Sequence, residues 1–381
     1  MRSLTEIRKD INAVDAEIRE LFLKRMSLAE EVVTYKMCTG DRILKPDREK
    51  QIIAQARETM EPDLQQEYAA LIKTTMRVSR KHQYKRMLEQ HPEKLTFPLS
   101  PREHTPKAVV CQGIEGSFQS AAAADLYPMA AISHVASFED VFRAVSAGEA
   151  DLGLVPVENS TAGTINEVYD LLVRYQLYIV HSHVQPIHHC LCACADATRE
   201  TVTKAYSIRP ALDQCLTYLD RNHLEQCEAA NTAVAAQHVR EMGDPTCAAI
   251  CSEQAARLYG LQVLDRNIND DEYNQTRFIV IGRQMSAEPQ DNRVSILFTL
   301  PHVSGSLPST LSVFADHECN LTEIHSRPLI DTPWNYRFYV DFTGNVLEED
   351  TRALLFQLFE ELPSVRLLGC YTVTGTEETN A

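Results

Sequence analysis

LGLVPVENSTAGTINEVYDLL, residues 152–172, opens as a short apolar run, turns through Glu158, Asn159, Ser160, Thr161 and Gly163, and continues into a helical pattern. A strand, a small polar turn and a helix in that order form the repeating unit of an α/β fold. The same order recurs on both sides, in AVVCQGIEGSFQSAAAADLY (108–127), AYSIRPALDQCLTYL (205–219), CEAANTAVAAQHV (227–239) and AAICSEQAARLYG (248–260). Upstream, His91 to Pro106 contains Pro92, Pro98, Pro101 and Pro106 and reads as a linker. Downstream, a second break falls near Met285 to Asp291, after which the pattern is strand, helix, two strands, helix, strand. That βαββαβ order is ferredoxin-like.

Before the first linker the pattern is entirely helical. Leu4, Ile7, Ile11, Val14, Ile18, Leu21, Leu28, Val32 and Tyr35 alternate steps of three and four with a single gap, predicting one long helix with a packing seam. Gly40 stops it, Pro46 opens a short second helix, and a third is expected from about Pro62 to Leu88. Three helices of such unequal length cannot bury one long seam by themselves, so an interlocked dimer is expected.

The 381 residues carry a formal charge of -16, which argues against nucleic acid or an anionic membrane as partner of the whole chain. Residues 1–90 hold 18 Lys+Arg against 15 Asp+Glu, and residues 91–381 hold 19 against 38, so the helical segment alone is slightly basic. No apolar run approaches the roughly 18 residues that span a bilayer, and a cytoplasmic protein is expected. The eleven cysteines are irregularly spaced, as reduced thiols are. Cys190, Cys192 and Cys194, beside His181, His183, His188 and His189, are conceivable zinc ligands. Their alternation in CLCAC instead reads as one face of a buried strand, and no metal is expected.

Within the helical segment, the gap in the seam is Arg25, and Lys36 lies about 20° away round the helix at roughly 100° per residue. Two cations on one face either pair with Glu30 or Glu31 or converge on a compact anion. Arg8 lies off the stripe, Arg48 and Glu49 open the second helix, and Ser79 and Gln83 share a face of the third. Together these residues resemble the all-helical chorismate mutase domain, over about residues 4–88. The resemblance implies that Arg25, Lys36 and Arg48 hold the carboxylates and ether oxygen of chorismate and that Arg8 reaches a partner subunit's site. Glu49 and Ser79 would bind the ring hydroxyl and carboxylate regions, and Gln83 would donate to the ether oxygen. Lys45 stands where that family often has Asp.

The polar turn after residue 157 reads singly as a set of helix caps, and Arg277 in YNQTRFIV (273–280) as an ion-paired strand end or a carboxylate clamp. VPVENSTAGTI, NTAVAA and NQTRF in that order resemble prephenate dehydratase, from about Lys107 to Arg283. The resemblance implies two α/β lobes like those of periplasmic binding proteins, with substrate in the cleft between them. It gives Thr276 the donor role toward the departing hydroxyl, with Glu158 as the alternative acid, and puts Arg277 on the pyruvyl carboxylate. Asn159, Ser160, Thr161, Ser207, Gln214, Asn231, Thr232, Ala233 and Phe278 would line the cleft.

GSLPSTLSVFADHECNLTEIHSRP (305–328) resembles the ACT regulatory domain of the same enzymes. Gly305, Ser306 and Leu307, with His325, Ser326, Arg327 and Pro328, match the segments where that domain binds phenylalanine across a dimer interface. A purely structural dimerisation module is the alternative. The expectation is therefore three modules: 1–92 (chorismate mutase), 106–285 (prephenate dehydratase) and 292–376 (ACT). The implied activities are chorismate to prephenate and prephenate to phenylpyruvate, with phenylalanine as effector, no cofactor, and a homodimer or higher homo-oligomer. The rivals are a dehydratase with an inactive mutase segment and a non-catalytic amino-acid sensor.

Overall fold

The computed structural model describes residues 2–329 and 336–375, so Met1 and Thr376, the outer ends of two expected modules, lie outside the described residues. Helix α1 (Leu4–Thr39) begins on a reciprocal cap between Ser3 and Glu6 and ends at Gly40, whose φ of 72° suits a residue without Cβ. Helices α2 (Pro46–Glu58) and α3 (Gln65–Gln90) follow. The third helix starts three residues later than expected, because Glu61–Leu64 closes a turn in which Leu64 N donates to Glu61 O at 3.0 Å. On α1 only Ala29 and Val33 are buried. The expected seam is bare within one chain: Leu4, Ile11, Ile18 and Leu21 are 61%, 53%, 55% and 67% exposed.

The α/β region forms two lobes. The first contains β1 (Ala108–Gln112), α4 (Phe118–Leu126), β2 (Ala131–Val135), α5 (Phe138–Ala147), β3 (Leu152–Asn159), β4 (Gly163–Thr164), α6 (Asn166–Tyr175) and β5 (Tyr178–Pro186). The second contains β6 (Cys190–Ala193), β7 (Lys204–Ser207), α7 (Arg209–Asp213), α8 (Leu216–Arg221), β8 (Glu225–Glu228), α9 (Thr232–Met242), β9 (Cys247–Cys251), α10 (Glu253–Tyr259) and β10 (Gln262–Asp265). Strand β11 (Gln275–Gly282) returns to the first lobe between β5 and β3, antiparallel to both. The sheet orders are β5-β11-β3-β1-β2 and β10-β6-β9-β7-β8.

Cys190, Cys192 and Cys194 lie in a buried cluster with Ala235 and Val239, while Leu191 and Ala193 face the other core with Leu212 and Leu219. The alternation is that of a strand buried on both faces, and all eleven cysteines are free thiols.

Two segments cross between the lobes, and they are zipped together. Ile187 N donates to Asn274 O at 2.8 Å, Ile268 N to His189 O at 3.0 Å and His189 N to Asn269 Oδ1 at 2.7 Å. Of the polar residues expected in the cleft, Asn159, Thr161, Gln214 and Thr276 gather beside this double crossing.

The carboxy-terminal module follows the expected order: β12 (Arg293–Leu300), α11 (Ser306–Asp316), β13 (Leu321–Pro328), β14 (Tyr336–Thr343), α12 (Glu349–Glu361) and β15 (Ser364–Tyr371), then a short β16 (Val373–Thr374). The sheet order β13-β14-β12-β15 is ferredoxin-like. The chain divides into two compact units, the residues up to Pro98 with Ile296–Leu367, and Leu99–Ser295 with the chain from Leu368 on. The helical segment and most of the carboxy-terminal module thus form one unit. Arg77 pairs with Asp316 there, Lys85 Nζ lies 2.9 Å from Asp350 Oδ1, and Tyr84 meets Phe356 edge-on at 5.7 Å. No helix among the described residues is long and apolar enough to cross a membrane.

Candidate active sites

In the helical segment, Arg25, Lys36, Arg48, Glu49, Ser79 and Gln83 line one cavity of about 450 Å³ with Lys45 and Arg80. Helix periodicity explains the convergence. Arg25 and Lys36 share a face of α1, Ser79 and Gln83 a face of α3, and the first turn of α2 brings Arg48 and Glu49 to the same cavity. The cations are not spent on carboxylates of their own helix. Glu30 lies 3.1 Å from His82 Nε2 and 3.4 Å from Arg86 Nη2. Arg25 Nη1 donates to Thr75 O at 3.3 Å and Lys36 Nζ to Ile43 O at 2.8 Å. Burial, followed by the charge of Lys45, holds the Lys36 ammonium below its ordinary pKa.

Five cations (Arg25, Lys36, Lys45, Arg48 and Arg80) against one carboxylate (Glu49) make the wall a receptor for a small polyanion. Lys45 Nζ is 2.7 Å from Asp41 Oδ1, which offsets its charge at that corner. Gln83 is buried, with Nε2 turned to Ser79 Oγ at 3.3 Å and Oε1 without a partner. Rotating the amide by half a turn lets Oε1 accept from Ser79 and leaves Nε2 to donate to a ligand oxygen. Arg8 does not join this wall. It lies seventeen residues before Arg25, about 25 Å along the helix at 1.5 Å per residue.

In the α/β unit, β11 pairs with β3 so that Thr276 lies opposite Asn159 and Arg277 opposite Glu158. Asn159 Nδ2 donates to Thr276 Oγ1 at 3.0 Å and to Asn274 Oδ1 at 2.8 Å. Asn159 Oδ1 accepts from Thr161 Oγ1 at 2.7 Å and from Gln214 Nε2 at 3.2 Å. Gln214 Nε2 also donates to Thr161 Oγ1 at 2.6 Å. On its other side, Gln214 Oε1 accepts from Asn274 Nδ2 at 3.0 Å and meets His189 Nε2 at 3.0 Å.

The hydrogen-bond directions follow from this chain of contacts. Gln214 Oε1 is an acceptor, so His189 carries its proton on Nε2. Burial holds the His189 pKa below the ordinary imidazole value and keeps the ring neutral, with Nδ1 unpartnered. Thr276 Oγ1 accepts from Asn159, so its own O–H is the proton left to give outward.

A cavity of about 420 Å³ opens beside the network, lined by Thr161, Ala162, Gln214 and Asn274 together with Asp213, Asp270 and Asp271. Phe118, at the start of α4, meets His189 edge-on at 5.5 Å. Just before it stand Ser117, the N-cap of α4, and Gly113, whose missing Cβ would lie 3.8 Å from both Ser117 Oγ and Asn231 Nδ2. Asn231 caps α9 by accepting from Val234 N at 2.8 Å. The capped amino ends of two helices, one from each lobe, therefore both lie near Gly113, with Thr232 and Ala233 in the first turn of the second, a setting that favours an anion.

Family models match both regions: chorismate mutase type II over residues 7–84 and prephenate dehydratase over residues 109–286. A bifunctional chorismate mutase/prephenate dehydratase of Escherichia coli is 30% identical, with 97% of this chain and 96% of that protein aligned. The chain belongs to the bifunctional chorismate mutase/prephenate dehydratase family. It carries both catalytic domains of that family. A chloroplastic arogenate dehydratase/prephenate dehydratase of Arabidopsis thaliana is 35% identical, over 68% of this chain and 70% of its own. The crystal structure of prephenate dehydratase from Arthrobacter aurescens in complex with L-Phe is 28% identical with a TM-score of 0.64, covering 70% of this chain and 90% of that one.

Not every residue expected to line the cleft joins this network. Strand alternation turns Glu158 and Arg277 away from the face that carries Asn159 and Thr276, and Arg277 Nη2 reaches Tyr169 of α6 at 3.4 Å. Phe278 is 2% exposed in the core with Val109, Cys111 and Leu154, so its ring packs the sheet rather than lining the cleft. Ser207 is fully buried and donates to Ile250 O at 2.8 Å, which fixes the end of β7. Ser160 ties the turn to β11 by accepting from Gln275 N at 3.0 Å.

In the carboxy-terminal module, Gly305 has a φ of 85° at the start of α11, and Ser306 Oγ donates to Pro301 O at 3.0 Å. Leu307 follows in the first turn of α11. His325, Ser326, Arg327 and Pro328 lie on β13, separated from β12 by β14, so one copy of the sheet holds the two segments apart. Sequence reading missed Arg80, His189 and Asn274. Asn274 lies inside the recognised NQTRF motif and His189 inside the His/Cys run, but neither position announces its partner.

Proposed function

We propose that the chain converts chorismate to prephenate in the α1–α3 cavity and prephenate to phenylpyruvate in the cleft of the α/β unit. The observation that carries this reading is the gathering of Arg25, Lys36, Arg48, Glu49, Ser79 and Gln83, drawn from three separate helices, on one cavity. A Claisen rearrangement needs no nucleophile and no proton transfer. It needs the enolpyruvyl arm held over the ring and charge stabilised at the breaking C–O bond, which fixed cations and the Gln83 amide supply. Arg8, remote from this wall in its own subunit, serves the partner subunit's cavity across the bare seam of α1. The working unit is therefore at least a homodimer.

At the second site, the ring carboxylate of prephenate leaves as CO₂, its electron pair enters the ring, and the C4 hydroxyl departs with a proton as water. Aromatisation drives the step, so the protein has only to hold the dianion and assist the departing oxygen. Thr276 serves as donor, oriented by Asn159 as Asn159 is oriented by Gln214. Thr161 and the paired helix ends at Gly113, Asn231, Thr232 and Ala233 complete the grip. Arg277 supports the site from the opposite face of β11.

The carboxy-terminal module acts as an ACT regulatory domain that takes L-phenylalanine between copies, at Gly305–Leu307 of one and His325–Pro328 of the other. The enzyme works in the cytoplasm. Full-length protein supplied with chorismate and assayed for chorismate loss and phenylpyruvate formation tests both activities. Arg25→Ala is expected to abolish the first step and spare conversion of added prephenate, and Thr276→Ala to do the reverse. Undiminished phenylpyruvate formation by Thr276→Ala would overturn the donor assignment, and absence of both reactions in wild type would favour an amino-acid sensor. Millimolar L-phenylalanine is expected to inhibit the dehydratase, and an unaffected rate would leave the module structural.

A further inference from the structure

Arg80 and Glu49 form part of the wall of the α1–α3 cavity and also of a second cavity of about 340 Å³, whose far side is Ser309, Thr310 and Val313 with Leu358, Glu361 and Leu362. Arg80 stands in the partition, and its guanidinium is shared between the two sides. Nη1 donates to Glu49 Oε1 at 2.5 Å, Nε to Glu361 Oε1 at 2.7 Å and Nη2 to Glu361 Oε2 at 3.5 Å. The contact is enclosed, with the Arg80 and Glu361 side chains only 13% and 10% exposed. Gln357 Nε2 donates to Glu361 Oε1 at 3.0 Å, so the carboxylate is held from its own helix as well. The edge-on packing of Tyr84 on Phe356 fixes α3 against α12 one turn further along.

A planar guanidinium with donors on three nitrogens holds two carboxylates at a set angle, which the point charge of a lysine cannot do. Without Glu361, the Nε side of Arg80 loses its anchor, the guanidinium is held by Glu49 alone and turns into the cavity, and Glu49 loses its orientation. We propose that Glu361 is a positioning residue of the mutase: it holds Arg80, Arg80 holds Glu49, and the mutase site is thereby completed by the carboxy-terminal module. Glu361 touches no substrate. Its effect reaches the rearrangement through the aim of the Glu49 carboxylate.

The inference rests on the mutase reading of the α1–α3 cavity, and the test separates the two. Full-length Glu361→Gln is expected to lower kcat/KM for chorismate about tenfold, the scale of one charge-assisted hydrogen bond, with kcat/KM for prephenate unchanged. Arg80→Lys, which keeps the charge and loses the fork, is expected to match it, and Glu361→Asp to lose less. In a Glu49→Gln background the Glu361→Gln change is expected to add nothing. Unchanged mutase kinetics in Glu361→Gln and Arg80→Lys, an equal fall in both activities, or a full additional loss in the Glu49→Gln background would each overturn the inference. Absence of wild-type chorismate turnover would sink the mutase reading and the inference together, whereas wild-type turnover with unaffected variants sinks the inference alone.

Discussion

Replacing His189 with leucine separates what the hydrogen-bond network of the α/β cleft does for stability from what it does for the proposed chemistry. The ring is 2% exposed, and its Nε2–H reaches Gln214 Oε1 at 3.0 Å. The substitution removes one neutral hydrogen bond, about 1 kcal/mol, and an edge-on ring contact with Phe118, about 1 kcal/mol. It also removes the unpartnered buried Nδ1, whose desolvation costs about 1–3 kcal/mol. The two sides nearly cancel, so the thermal midpoint of His189→Leu is expected to stay close to that of wild type. Activity has no such compensation. Gln214 Oε1 keeps Asn274 but loses the donor that distinguishes one face of its amide from the other, and Asn159 and Thr276 lose orientation in turn. About 1 kcal/mol of lost orientation corresponds to roughly a fivefold fall in kcat/KM for prephenate. Phenylpyruvate formation measures it, and chorismate turnover by the same sample is the internal control. Unchanged dehydratase kinetics would refute the reasoning, as would a midpoint lowered by many degrees with both activities reduced.

Other perturbations probe parts of the fold that the sites depend on. Burial, then the charges of His183 and Arg102, push the His181 pKa from 6.5 to about 4. Between those values the unfolded chain binds a proton that the folded chain does not, so stability is full above about pH 6.5 and falls as pH drops toward 4, by up to about 3 kcal/mol. His181→Gln is expected to flatten that slope in urea inactivation of the dehydratase. A Cβ on Gly369 would sit 2.1 Å from Ile179 O, on β5. Gly369→Ala should therefore part the end of β15 from β5 at a cost of about 3 kcal/mol, seen as a lowered thermal midpoint. Ile18→Asp places a charge in the bare seam of α1, where Ile18 is 55% exposed in a single chain. Sedimentation is expected to show a dissociated species and the mutase rate to fall, whereas an unchanged mass would put the dimer interface elsewhere.

Much of this protein was legible in its sequence because the determining signals are local. The helical period of the first ninety residues, Gly40 and Pro46 as stop and start, and the strand-turn-helix units place nearly every element. The alternation of CLCAC likewise describes a strand buried on both faces. Helix geometry also put Arg25 with Lys36 and Ser79 with Gln83 on shared faces, while their union in one cavity was what the family resemblance implied.

Tertiary structure decided which of those side chains meet. It put Thr276 and Arg277, neighbours in sequence, on opposite faces of one strand, because alternation depends on which face the fold turns to the cleft. Long-range packing brought His189, in the lobe crossing, to Gln214 of the second lobe, and Glu361 to Arg80 across 281 positions of chain. A hydrogen bond needs two groups within about 3 Å of each other, and no local pattern carries that information between residues so far apart. The sequence alone thus determined the elements, their order and which side chains share a helix face, while the hydrogen-bond partners of those side chains were set only when the chain packed.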